Sequence, residues 1–171
     1  ILTVDKLTEG AACTILFACE IINNDSPLLL ANSDQIVDMD VADYINDSVK
    51  RGCNGSILTF FSDHPKWSYA KIDTRGHLIE LREKEVISSY ATVGIYYYQR
   101  GRDFVNSAVQ MIANNDRVKN EFYTAPAYNY SVKSGLTIGI YNIEESQMHG
   151  LGTPEDLELY LAHLVEKELV S

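Results

Sequence analysis

Three features predict an α/β protein with a mixed, mainly parallel sheet flanked by helices and interrupted by a β-hairpin. Short apolar runs alternate with amphipathic segments through the first third of the chain. Two alternating runs in the middle flank the turn residues "TRG". The C-terminal stretch "TPEDLELYLAHLVEKEL" combines a helix-start signal with a leucine stripe. Strand–helix alternation favours right-handed crossovers between parallel strands, whereas a Gly-containing turn between alternating runs favours a hairpin.

Taken in order, "ILTVD" reads as a short strand. "TEGAACTILFACEIINN" reads as one helix with Thr8 as N-cap and Ala12, Ile15, Leu16, Cys19 and Ile22 on one face. "SPLLLANSD" is an apolar run of the kind buried on both faces of a parallel sheet. "VADYINDSVKRG" is an amphipathic helix with Asp40 placed as its N-cap and Gly52 closing it. "GSILTFFS" is the next strand, "YAKID" and "HLIELRE" form the hairpin, and "YATVGIYYYQ" is a strongly β-forming run. A helix over "RDFVNSAVQMIANN", a short one over "APAYNYSVKSG" and a strand over "LTIGIYNIE" follow. In the last helix Thr153 caps, Pro154 takes the first turn, Asp156 completes a capping-box-like pattern, and Leu157, Leu161, Leu164 and Val165 form the core stripe. No repeat or linker divides the series, so residues 1–171 are expected to form one domain.

Composition narrows the function. Hydrophobic residues at 46% and charged residues at 22% fit a globular chain with a real core. A net charge of -10 excludes nucleic acid as a main partner and requires local cations or a metal wherever a phosphate is held. No apolar stretch is long enough to span a membrane. Cys13, Cys19 and Cys53 are odd in number and lack the close-pair spacing of zinc sites, so they are expected to be buried thiols in a reducing cytoplasm. His64, His77, His149 and His163 are scattered without metal spacing and receive no role. Trp67, Tyr69, Tyr123 and Tyr128 serve core packing, sugar stacking or the interface of a homo-oligomer.

Four short stretches carry chemistry. Asp34 ends an apolar run, where a carboxylate can hold Mg2+ or simply cap the turn before Val41. Asp38 and Asp40 make a D-x-D in which Asp40 also suits a helix cap. In "LREKE", Lys84 can neutralise a phosphate and Glu83 can accept from sugar hydroxyls, or both can be surface charges. Gly94, inside "ATVGIYYY", marks a bulge or a close ligand approach. Gly10, in "TEGAA", opens a helix whose first N–H groups can meet a ligand or whose small residues permit tight packing.

The order "LTEGAACTIL", "LLLANSD", "LIELREK", "YATVGIYYY", "HGLGTPEDLELYL" resembles the sugar-1-phosphate nucleotidylyltransferase family over essentially the whole chain. The resemblance implies a Rossmann-like sheet of the nucleotide-diphospho-sugar transferase type. It also implies a reaction between a nucleoside triphosphate and a sugar 1-phosphate that releases pyrophosphate, in nucleotide-sugar synthesis for capsule or lipopolysaccharide. By position, Asp34 matches the aspartate that binds the catalytic Mg2+, and Glu9, Gly10 and Ala11 match the segment against the nucleobase. Glu83 and Lys84 match the pair on the sugar and its phosphate, which makes Asp34 and Lys84 the catalytic candidates; Gly94 matches the glycine near the sugar ring.

The departures are specific. The family's glycine-rich loop with an Arg and then a Lys has no match here. It lies upstream of the region resembling Ile1, so the chain is expected to lack a first βαβ segment and, alone, to be inactive. Gly150 stands where relatives carry a second metal-binding Asp, and Glu85 where Pro is common. A metal-dependent glycosyltransferase using "DMD", and a nucleotide-sugar-binding module without catalysis, are the competing expectations.

Overall fold

The computed structural model describes residues 1–170, with side chains to residue 165. Its centre is a six-stranded sheet. Strands β3 (Gly55–Phe61), β4 (Tyr69–Ile72), β5 (Leu78–Arg82), β6 (Tyr90–Tyr98) and β7 (Ile138–Ile143) run in the order β5-β4-β6-β3-β7, and β1 (Leu28–Ala31) also pairs with β6. A separate ribbon joins β2 (Gln35–Val37) to β8 (Met148–Gly150).

The helix-flanked mixed sheet agrees with the reading of the sequence, and so do the hairpin β4–β5 and the strands β3, β6 and β7. The pairings refine it. Among the described residues only β3 and β7 run parallel; the other paired strands are antiparallel. β3 carries Ile57, Leu58, Phe60 and Phe61 and is buried along six of its seven residues, because strands cover both edges and apolar side chains cover both faces. One core cluster, including Phe104, Met111 and Tyr128, packs α1 (Ala11–Leu16), α4 (Gly101–Ala113) and α5 (Ala127–Lys133) on one face. The other, including Tyr44, Phe60 and Tyr97, packs α3 (Val41–Lys50) on the opposite face.

Four local expectations are corrected. "ILTVD" is not a strand, since no described strand lies beside it and Ile1 and Leu2 are exposed. The first long helix is two short ones, α1 and α2 (Cys19–Ile22). Tight bonds from Phe17 N–H to Thr14 and from Ala18 N–H to Ile15 end the first. α2 then docks on the start of α4, with the Ile22 carbonyl so close to Gly101 that a Cβ there would lie 2.1 Å from it. Gly10, not Thr8, is the N-cap of α1; the Thr8 hydroxyl instead bonds Thr14 Oγ1 at 2.6 Å.

β1 is not buried on both faces. It alternates half-buried and exposed residues, as an edge strand does. In α6 (Pro154–Val170) the cap is as expected, with Asp156 N–H donating to Thr153 Oγ1 at 3.1 Å. Its stripe is not core: Leu157, Leu161, Leu164 and Val165 are 38–58% exposed.

Candidate active site

The site follows from how β6 is shared. β3 lines one edge of β6, while the other edge is taken by β4 at Ala91 and by β1 from Ile95 to Tyr98. Thr92, Val93 and Gly94 are left between β4 and β1, and form part of the lining of an open cleft of about 510 Å³. A β-bulge lies here, because Ile57 pairs with Tyr96 but Thr59 with Thr92. Gly94 has φ 93°, and a Cβ on it would lie 2.5 Å from Asn32 Nδ2. The backbone conformation thus favours glycine, and any side chain would also push the Asn32 amide aside. The Gly94 carbonyl accepts from Asn32 N–H at 3.1 Å, and this bond steers the chain leaving β1 across the cleft.

That chain delivers Asp34. Its carbonyl accepts from Leu151 N–H at 2.7 Å, tying it to the segment between β8 and α6. The carboxylate is exposed and has no hydrogen-bond or ion-pair partner among the described residues. It caps nothing: Asp40 caps α3 by accepting from Ala42 N–H at 2.8 Å. A Cβ on Gly152 would come 3.3 Å from Asp34 Oδ2, so the absence of a side chain there leaves the carboxylate room.

Asp156 enters the same cleft from α6. A Cβ on Gly150 would lie 3.5 Å from its Oδ2, so an acid from the helix occupies the neighbourhood of the side chain that position 150 lacks. In the sequence Asp156 shows only as part of the helix cap at Thr153; the turn into α6 brings it back beside Gly150.

Glu83 and Lys84 follow β5 on the far side. Glu83 is half-buried and receives a short hydrogen bond from Ser68 Oγ. Burial raises its pKa above the ordinary glutamate value, opposed by the Ser68 bond and by Lys84 and Lys119. Lys84 adopts φ 56°, a conformation unusual for a side-chain-bearing residue. Its ammonium lies 5.1 Å from the centre of the Tyr123 ring and 3.4 Å from the Tyr123 hydroxyl. Lys66, 4.5 Å over the Trp67 ring, adds a second cation to the cleft lining. Gln35 was not anticipated. Its Nε2 is buried without a partner, an amide donor left for something in the cleft.

Asp34, Glu83, Lys84, Gly94 and Ala11 therefore share one cleft, and Ala11, Asp34 and Gly94 also line an adjoining one beside β1. Glu9 and Gly10 line neither. The Glu9 carboxylate forms a close ion pair with Arg117. Gly10, at φ 119°, packs so tightly that a Cβ would lie 2.6 Å from the Phe122 backbone. Of the four aromatic residues, Tyr69 and Tyr128 are fully buried core, while Trp67 and Tyr123 line the cleft.

Residues 2–130 match the family model described as nucleotidyl transferase. The chain belongs to that family. This nucleotidyl transferase also shares its fold with two solved structures. One is a nucleoside-diphosphate-sugar pyrophosphorylase from Vibrio cholerae RC9, at 22% identity and TM-score 0.76, covering 93% of this chain and 67% of that one. The other, from Bacillus anthracis, is named as a glucose-1-phosphate thymidylyltransferase and was solved with sucrose, at 22% identity and TM-score 0.68. That match covers 90% of this chain and 60% of the other. No curated protein sequence matches. No helix among the described residues is long and apolar enough to cross a membrane.

Proposed function

We propose that this nucleotidyl transferase joins a nucleoside triphosphate to a sugar 1-phosphate, giving a nucleotide sugar and pyrophosphate, in a reducing cytoplasm where its three thiols stay free. The observation that carries the reading is the unpartnered Asp34 carboxylate, in one cleft with Glu83, Lys84 and the Gly94 bulge. A hard dication suits the place, because two carboxylates, Asp34 and Asp156, line it with room left by Gly150 and Gly152. Asp34 would hold Mg2+, with Asp156 as the second acid in place of a residue at 150. When bound, Mg2+ would neutralise phosphate charge and help align the reactants.

The chain's own residues do the remainder. Lys84, resting against Tyr123, meets the sugar phosphate, and Lys66 offsets further negative charge. Glu83 accepts from sugar hydroxyls, Gln35 donates to a sugar or phosphate oxygen, and the bulge at Gly94 leaves space for the ring. Ala11, with the adjoining cleft beside β1, meets the nucleotide. The sugar-phosphate oxygen attacks the α-phosphorus; a P–O bond forms as the bond to the bridging oxygen breaks, and pyrophosphate leaves with the electron pair. Two oriented anions and their neutralisation are the main requirements of such a step.

The test is pyrophosphate release by the intact gene product with Mg2+, each nucleoside triphosphate and a panel of sugar 1-phosphates. Release with one pair is expected; none with any pair from folded protein overturns the proposal. The glycosyltransferase alternative is disfavoured because Asp40, the second acid of the D-x-D, is engaged at the α3 cap. Free nucleoside diphosphate as product would revive it.

A further inference from the structure

We infer that Asp38, His149 and His163 bind a single transition-metal dication of the zinc type, at a site chemically distinct from the carboxylates around Asp34. The three come from separate elements: Asp38 follows β2, His149 lies in β8 and His163 in α6. One ligand atom from each falls within 4.8 Å of the others. Sequence spacing concealed this, since β2–β8 pairing and the packing of α6 on β8 create the proximity.

Two observations favour a metal over a simple hydrogen-bonded cluster. His163 Nε2 is buried without a hydrogen-bond partner, an uncompensated lone pair or N–H on one of the three residues. The two imidazoles also lie with centroids 4.7 Å apart and planes tilted by 31°, while His149 Nε2 is already 3.3 Å from Asp38 Oδ2. A dication would accept a lone pair from one nitrogen of each ring and take the adjacent carboxylate as third ligand.

Two nitrogens and one oxygen suit Zn2+, Co2+ or Ni2+ rather than Mg2+. A tetrahedral ion would keep its fourth position toward the open cleft that His149 and His163 line with Trp67. Such an ion would fasten α6, whose leucines face outward, to the β2–β8 ribbon. It would thereby fix the helix that carries Asp156.

The experiment titrates metal-free protein with Co2+ and follows the visible absorption of the tetrahedral ion. One equivalent should bind, Zn2+ should displace it, and Zn2+ should raise the melting temperature. His163→Gln and, separately, Asp38→Asn should each weaken binding by more than the roughly 10–100-fold expected for losing a supporting partner. Asp34→Asn should leave it unchanged. X-ray absorption of the zinc form should show two imidazole nitrogens. Absence of saturable Co2+ binding by wild-type protein, or binding unaltered in His163→Gln and Asp38→Asn but lost in Asp34→Asn, would overturn the inference.

Discussion

The floor of the Asp34 cleft and the helix α6 beside it are held in opposite ways. The floor is sheet: Thr92, Val93 and Gly94 are buried, and the bulge is locked by backbone bonds to Ser68 and Asn32. α6 is capped at Thr153 and rests on β8, but its leucine stripe faces outward. The difference teaches that a regular apolar period predicts a helix's existence better than its burial. Periodicity is a property of the segment, whereas burial needs a second surface. It also sets what each region can do: a rigid floor can hold reacting groups in register, and a lightly held helix can be ordered by whatever binds beside it.

This contrast yields graded expectations. Asp34→Ala should lower nucleotidyl transfer by at least about 10²–10³-fold. Its melting temperature should be unchanged, since the exposed carboxylate supports no described contact; retained turnover would remove Asp34 from the chemistry. Gly94→Ala should cost about 1–3 kcal/mol of stability in urea unfolding, because the alanine must adopt a positive φ. A neutral result would show that the bulge relaxes freely. Asp40→Ala removes the α3 cap and should cost about 1 kcal/mol by the same measurement. On α6, Leu161→Lys should stay within about 0.5 kcal/mol of wild type; a larger loss would mean that the stripe is covered in solution.

Glu83 gives a pH test. Its pKa is raised in the folded state, so the native protein holds this proton to higher pH than the unfolded chain does. The associated stability is fully present below the ordinary glutamate value and is lost as pH rises through the elevated one. Unfolding series across that window should therefore show Glu83→Gln losing less stability than wild type on going from acid to neutral pH. Equal slopes would mean that the Ser68 bond offsets the cost of burying the charge.

Legibility followed the range of the signal. Asp40, Thr153 and the hairpin were readable because caps and turns act over a few residues. The mixed sheet was readable from alternation, yet its directions were not: β1 looks like a doubly buried parallel strand and is an antiparallel edge. Leu28–Leu30 would look the same in either setting. The candidate site shows the same division. Asp34, Glu83, Lys84 and Gly94 stood out in local motifs, whereas Gln35, His149 and His163 carried no local mark, and Asp38 and Asp156 showed only as a D-x-D and a helix cap.

By itself, the amino-acid order determined that strands and helices alternate, that acid outweighs base, and where α3 and α6 begin. These depend on side-chain size, period and charge, which each segment carries with it. Only the folded chain decided that β6 is shared between β1 and β4, so that Asp34 lines one cleft with Glu83 and Lys84. Only the folded chain brought two distant histidines to one aspartate. Such encounters depend on which surfaces meet once loops close, and that is settled by the packing of the whole core rather than by any one stretch.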